Sequence, residues 1–239
     1  MKKIIVTGAS RGLGLAIVQI LLHEGYYVIG TSRTESTALK EVVADFSDRF
    51  TYRRLDVSNL EEVERFGREI VKEEGRIYGL VNNAGIGTDG ILATMHRTDI
   101  QQIVATNLLG PMILTKYIMR SMLAKKEGRI INISSIIAST GFHGLAVYGA
   151  TKAGLEGFTR SLSREAGKLR VTVNCVAPGY METEMTASLA GDKLESVRRR
   201  APLGLPHPKQ VAAAVSYLLS DSAAAVTGTV LTVDGGSTA

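Results

Sequence analysis

Tryptophan is absent from the 239 residues, cysteine occurs once and proline five times. A lone thiol closes no internal disulfide, so the fold must rest on core packing, and a reducing cytoplasm is the expected compartment. Cys175 lies in the apolar run Val171–Ala177, where a buried structural thiol is expected rather than a nucleophile. No stretch approaches the roughly 20 apolar residues of a membrane-spanning helix, so no membrane partner is expected. The opening Met1-Lys2-Lys3-Ile4-Ile5-Val6 imitates a signal peptide only briefly. Its apolar run breaks into a glycine turn and reads as a strand. No metal site is expected.

What is present is ordinary globular composition, 45% hydrophobic and 21% charged. The net charge of +5 and pI near 9.3 favour anionic ligands. Nucleic acid is not expected, because no aromatic-basic platform or finger motif accompanies the charge. A phosphorylated cofactor or an acidic carrier accounts for it equally well.

Short β-branched runs at residues 3–7, 27–31, 51–57, 79–82, 129–134, 171–177 and 229–233 alternate with amphipathic stretches. Among the latter are helices over 12–24, 100–123 and 148–168, and a capping box at Ser58-Asn59-Leu60-Glu61 opens another. Apolar strands alternating with helices imply a parallel sheet covered on both faces. The expected fold is α/β: one Rossmann domain over 1–239, a doubly wound seven-stranded parallel sheet with no linker, repeat or low-complexity tract.

Directly after the first strand comes Thr7-Gly8-Ala9-Ser10-Arg11-Gly12-Leu13-Gly14, then a helix. Gly8 permits a tight turn, while Gly12 and Gly14 let backbone approach phosphate and helix pack on strand. The helix start offers free amides to an anion, so Gly8, Ser10, Arg11, Gly12, Leu13 and Gly14 form the candidate cofactor cradle. The second strand ends Gly30-Thr31-Ser32-Arg33 without the carboxylate that usually holds a ribose diol. Arg33 and Arg11 together suit a 2′-phosphate, which favours NADPH over NADH.

Tyr148 and Lys152 stand one helical turn apart, and Ser135 lies thirteen residues upstream of the tyrosine. A neighbouring ammonium favours a phenolate and lowers a phenol pKa that is ordinarily ~10. Phenol, ammonium and hydroxyl so placed can deliver a proton to a carbonyl oxygen. Alone the Tyr-x-x-x-Lys spacing is weak; in company with the glycine loop it is not. Asn107, inside the apolar run Val104–Leu109, must find a hydrogen-bond partner, because an unpaired buried amide is expensive.

Together these residues resemble the short-chain dehydrogenase/reductase family over essentially the whole chain. The match takes in the glycine loop, Asn82-Asn83-Ala84-Gly85, the ordered set Asn107, Ser135, Tyr148 and Lys152, and Pro178-Gly179 followed by Thr183. The resemblance implies that Tyr148 is the general acid in reduction and that Ser135 holds the substrate oxygen. Lys152 would bind the nicotinamide ribose while lowering the Tyr148 pKa, and Asn107 would kink its helix and position a water for proton relay. Asp56 and Val57 would meet the adenine, Asn83, Ala84 and Gly85 the adenosine ribose, and Val176, Pro178, Gly179 and Thr183 the nicotinamide. Ser134 is the decoy beside Ser135, turned away by strand alternation.

Within the family the chain looks most like the 3-oxoacyl-[acyl-carrier-protein] reductases, which implies fatty acid or related biosynthesis. Lys125, Lys126, Arg129, Lys168 and Arg170 sit near where that group meets its acidic carrier. One departure is Gly144-Leu145-Ala146-Val147 before Tyr148, apolar where that group is polar. Residues 184–206, with Met185, Leu189, Leu194, Arg198, Arg199, Arg200, Leu203 and Leu205, would cover the substrate. Three adjacent arginines on a helix point apart, and at least one is expected to be solvated or paired with Glu195. A homotetramer is implied by the helices from Ile100 and Tyr148. Two other readings stay open: a reductase or dehydrogenase of small ketones, sugars or polyols, and a nucleotide-binding protein without catalysis.

Overall fold

The structure, a computed structural model, describes residues 1–182 and 191–239. The seven expected strands are all there: β1 (Lys3–Thr7), β2 (Tyr27–Ser32), β3 (Phe50–Arg54), β4 (Gly79–Asn82), β5 (Gly128–Ile133), β6 (Val171–Pro178) and β7 (Val230–Val233). They pair in parallel in the order β3-β2-β1-β4-β5-β6-β7. Winding reverses between β1 and β4, and ligands of such sheets sit outside the strand C-termini at that reversal. The helices are α1 (Gly12–His23), α2 (Thr37–Val43), α3 (Leu60–Glu74), α4 (Arg97–Val104), α5 (Gly110–Lys125), α6 (Ile137–Thr140), α7 (Ala146–Ala166), α8 (Asp192–Arg199) and α9 (Pro208–Leu219).

Period-two alternation sorts the core into two layers. From β1, Ile4 and Val6 pack with α1 and α9 through Ile17, Leu21, Val211 and Leu218. Ile5 faces the other way, into a layer that includes Val63 and Ile70 of α3, Leu114 and Ile118 of α5 and Leu162 of α7. Gly67 lets α3 and α5 close together: a Cβ there would lie 2.8 Å from the Tyr117 Cβ.

Most boundaries shift by a residue or two, and three differences have a clear physical cause. The third strand stops at Arg54 rather than Val57, because the Asp56 carboxylate turns the chain by accepting from the Ser58 amide at 2.9 Å and hydroxyl at 2.7 Å. The helix cap is then Asn59, whose Oδ1 accepts from Glu62 N at 3.1 Å, and the expected capping box does not form, since the Glu62 carboxylate accepts from Asp56 N at 3.0 Å instead. The long helix over 100–123 begins at Arg97 and is broken by a π turn at Ala105–Leu109. Pro111 explains the break, since it has no N–H for the Asn107 carbonyl and its ring would strike that carbonyl in a regular helix. Gly110 N donates five residues back, to Ala105 O, the wider turn that resolves the conflict.

A polar chain crosses the sheet centre. Asn82, Asn132 and Cys175 are direct cross-strand partners on β4, β5 and β6. Asn82 Nδ2 donates to Thr115 Oγ1 at 3.0 Å and to Asn132 Oδ1 at 2.8 Å. Asn132 Nδ2 donates to Thr159 Oγ1 at 2.8 Å, and Thr159 meets Cys175 Sγ at 3.2 Å. The chain pins α5 and α7 to the strands they cover. Asn132→Leu keeps the volume but leaves buried groups of Asn82 and Thr159 short of a partner. It should cost roughly 2–4 kcal/mol in urea unfolding, since each orphaned buried group costs ~1–3 kcal/mol.

Candidate active site

The glycine loop leaves β1 through Gly8 at φ +69°, in the left-handed region. A side chain there would meet Ala84 Cα and Asn83 Nδ2, each at 2.9 Å, and one on Gly14 would come within 2.0 Å of Gly8 O. The loop is buttressed from β4. Thr7 Oγ1 accepts from the amides of Asn83 and Ala84, both at 3.0 Å. Asn83 Nδ2 donates to Thr7 O at 2.8 Å and Gly8 O at 3.2 Å. The side chain of Asn83 is therefore committed to shaping the loop, and Thr7 is a site residue whose role the sequence did not single out. This turn, free of side chains at Gly8, Gly12 and Gly14 and with α1 opening behind it, has the form a pyrophosphate requires.

Arg33 directly follows β2 and is exposed, with no ion pair among the described residues; Arg11 is exposed in the glycine loop. Both cations stand near the C-terminal ends of β1 and β2, where the chemistry of a guanidinium fits a phosphorylated nicotinamide dinucleotide. Asp56 is half-buried, with one carboxylate oxygen committed to Ser58. Arg54, opposite Ser32 in register, is held 3.4 Å from Glu62.

Ser135 lies two residues past β5, and its hydroxyl oxygen accepts from Ile137 N at 3.3 Å. Ser134 points the other way, donating to Glu156 Oε1 at 2.8 Å and Lys152 O at 3.3 Å. The decoy is thus bound to α7's backbone and the catalytic candidate is free of it. Asn107 is fully buried in the π turn. Its Oδ1 accepts from Ile86 N at 2.9 Å, and its Nδ2 donates to Ile86 O at 2.8 Å and Thr151 Oγ1 at 3.3 Å. A Cβ on Gly85 would lie 3.3 Å from Asn107 Oδ1 and 3.4 Å from Lys152 Nζ, so that glycine keeps the floor of the site open.

Lys152 is buried and donates to Ile133 O at 2.8 Å, while its Nζ stands 5.5 Å from the Tyr148 ring centre. Burial pushes its ammonium down to about 8. Burial also raises the Tyr148 phenol above its ordinary value, and a hydrogen bond with Ser135 pulls the other way. The Lys152 ammonium is turned to a backbone carbonyl, and desolvation is the larger influence on the phenol. The result is a neutral, proton-bearing tyrosine beside Ser135, with a cation beneath.

A family model described as enoyl-(acyl carrier protein) reductase matches residues 8–238. The chain belongs to the short-chain dehydrogenase/reductase family. Among its relatives, the 3-oxoacyl-[acyl-carrier-protein] reductase FabG of Vibrio cholerae is 42% identical over 98% of this chain and 96% of its own. The protein of the same name from Escherichia coli is 41% identical, covering 97% of this chain and 95% of its own. Nodulation protein G of a Rhizobium species is 37% identical over 98% and 96%. The relatives thus reach beyond the motifs to the whole length, and membership makes this chain a short-chain oxidoreductase.

The structure brings Asn107, Ser135, Tyr148 and Lys152 together beyond the C-terminal ends of β4 and β5, and Gly8, Ser10, Arg11, Gly12, Leu13 and Gly14 to the reversal point beside Ala84 and Gly85. Pro178 ends β6 and Gly179 follows it. Thr183, Met185 and Leu189 lie outside the described residues. Arg198 pairs with Glu195 at 3.0 Å, as expected, and also with Glu182 at 2.8 Å. No group of three or more metal-ligating side chains occurs among the described residues, nor any helix long and apolar enough to cross a membrane. Arg129 is a correction: it is 5% exposed, 3.8 Å from Asp221 and over the Tyr78 ring, so it offers nothing to a carrier. Lys125, Lys126, Lys168 and Arg170 are exposed but precede β5 and β6, about 20 Å of strand from Ser135. Cys175 is buried, its thiol pushed up to about 11, and is inert as expected.

Lys152 yields a test. Its folded-state value lies below the ordinary one, so between pH 8 and 10.5 the unfolded chain carries a proton that the folded protein lacks. Stability therefore rises with pH across that window. Lys152→Met should be more stable than wild type at pH 7 by roughly 1–3 kcal/mol, net of the lost Ile133 bond. That gain should shrink between pH 8 and 10.5 in parallel urea titrations; a gain independent of pH would mean the ammonium is not held at a cost.

Proposed function

We propose that this protein is an NADPH-dependent ketoreductase that reduces the 3-oxo group of acyl thioesters borne on acyl carrier protein, in fatty acid or related biosynthesis. The observation that carries the reading is the Ser135–Tyr148 pair with the buried Lys152 beneath it, in a chain whose full-length relatives bear the name 3-oxoacyl-[acyl-carrier-protein] reductase.

When bound, the nicotinamide supplies a hydride to the carbonyl carbon. The chain's own residues handle the oxygen. Ser135 donates a hydrogen bond to the substrate oxygen, and Tyr148, kept protonated by its burial, gives its proton as negative charge builds there. Lys152 holds the nicotinamide ribose with its ammonium and shifts toward the phenolate as that forms. Asn107, anchored on Ile86, keeps the π turn open for a proton path to solvent. Gly8 to Gly14 take the pyrophosphate, Arg11 and Arg33 the 2′-phosphate, Asp56 and Val57 the adenine, and Pro178, Gly179 and Thr183 the nicotinamide side.

We place the protein in the cytoplasm as a homotetramer. Two apolar grooves flank the outer face of α7, one lined by Leu92, Val104, Leu108 and Val147, the other by Ile137, Phe142, Leu145 and Ala153. Exposed Leu109 extends that face, and a helix pair from a second copy would cover it.

Steady-state assays should show NADPH oxidation with acetoacetyl thioesters, and none with crotonyl thioesters, whose reduction must protonate carbon rather than oxygen. Activity confined to free ketones, sugars or polyols would remove the thioester reading. Tyr148→Phe should lower kcat at least 1,000-fold, within the range general-acid catalysis supplies, while NADPH still binds.

Arg33→Asp should reverse coenzyme preference, weakening NADPH by about 1.5–3 kcal/mol for the lost charge-assisted contact and leaving NADH affinity nearly unchanged. An unaltered NADPH/NADH ratio in fluorescence titrations would clear Arg33 of the role.

A further inference from the structure

The segment after β7 packs against the turn that follows β6 and against residues 201–204. Asp234 follows β7 and is 7% exposed. Its Oδ1 accepts from Gly236 N at 2.9 Å, and its Oδ2 from Thr238 N at 2.9 Å and Thr238 Oγ1 at 2.7 Å. A carboxylate with three donors at these distances is well satisfied, and it winds the last residues into a knot around itself.

That knot touches two parts of the site. On one side Gly179 N donates to Val233 O at 2.9 Å, and a Cβ on Gly179 would lie 2.7 Å from both Cα and Cβ of Asp234. The turn after β6 therefore rests directly on this residue. On the other side Leu203 N donates to Gly235 O at 3.0 Å. Gly235, at φ +66°, would bring a Cβ within 2.0 Å of Gly204 O, and one on Gly236 would lie 3.0 Å from Pro202 Cγ. The segment 201–204 leads out of α8, so the knot is wedged between the turn at Gly179 and the downstream end of the substrate cover.

We propose that Asp234 is a positioning residue for the reaction, fixing the nicotinamide-side turn at Gly179 and the base of the cover at 201–204 through one buried carboxylate. The proposal rests on the assignment of Gly179 to the nicotinamide and of 184–206 to the substrate cover. Neither effect needs Asp234 to touch a ligand. Loss of the carboxylate releases Gly236 and Thr238, unwinds the knot and removes the backing from both contacts at once.

The test uses the full-length chain carrying Asp234→Ala, Asp234→Asn or Thr238→Val. Coenzyme affinity is read by fluorescence titration with whichever of NADPH or NADH wild type binds more tightly, and melting temperature is measured alongside. Asp234→Ala should weaken binding about ten-fold and lower kcat/KM about 100-fold, as a displacement near 1 Å can do. Asn keeps one acceptor oxygen but cannot accept from Thr238, so it should recover part of the loss, and Thr238→Val should show the smallest effect. The number of sites per chain reports the folded fraction, so affinity is read on folded protein only. If Asp234→Ala does not fold, the other two variants decide. Wild-type affinity and kcat/KM in variants whose melting temperature has fallen would overturn the proposal, reducing Asp234 to a structural residue. Failure of wild type to reduce acetoacetyl thioesters removes the proposed substrate instead, and leaves the coenzyme titration readable.

Discussion

An ammonium taken out of water costs several kcal/mol unless the protein returns its hydrogen bonds, and Lys152 is buried with a single carbonyl, Ile133 O, within 2.8 Å. That contact fixes α7 against the end of β5, and so fixes Tyr148, one turn earlier, against Ser135 just past the same strand. The ammonium that destabilises the fold is the same one that sets the distance between the two groups handling the substrate oxygen. Such a site is expected to be locally costly and globally supported.

The support comes from polar groups ranked behind it. Asn82, Asn132 and Cys175 stand in register on three neighbouring strands, and their links to Thr115 and Thr159 hold α5 and α7 at one height above the sheet. The π turn widens α5's approach so that Asn107 reaches Ile86 across the end of β4, rather than satisfying itself within its own helix. On the far side of the reversal point, Thr7 and Asn83 tie the glycine loop to β4. Dinucleotide cradle and proton donor are therefore coupled through β4 and β5, the two strands that lie between them.

The strand count, the parallel sheet and the grouping of Ser135, Tyr148 and Lys152 were legible in the sequence, because β-branched runs, glycine turns and the Ser-Tyr-Lys spacing are local signals. What escaped was decided by side chains competing for backbone. Asp56 ends β3 early by capping Ser58, and Pro111 breaks a helix that periodicity alone reads as continuous, although proline inside an apolar helical run is a warning that was there to be used. The buttressing by Asn83 was hidden, since an Asn-Asn pair does not announce which amide faces a loop. Arg129 shows the limit of charge counting: a basic residue at a strand start reads as surface, yet here it lies buried between Tyr78 and Asp221. The state of Tyr148 was the subtlest, because the i, i+4 spacing gives the proximity of Lys152 but not the direction of its ammonium.

The run Leu145-Ala146-Val147 bears on the substrate question differently once it is placed. As a sequence it sets this chain apart just before the catalytic tyrosine, which suggests an altered pocket. In the structure Ala146 and Val147 line the groove between α4 and α7, and Leu145 and Ala146 the groove between α6 and α7, while Tyr148 lines neither. A helix turns 100° per residue, so neighbours of an inward-facing tyrosine need not share its surroundings. Their apolar character enlarges the outer face of α7. The departure therefore lies on the outer face of α7, in grooves that Tyr148 does not line.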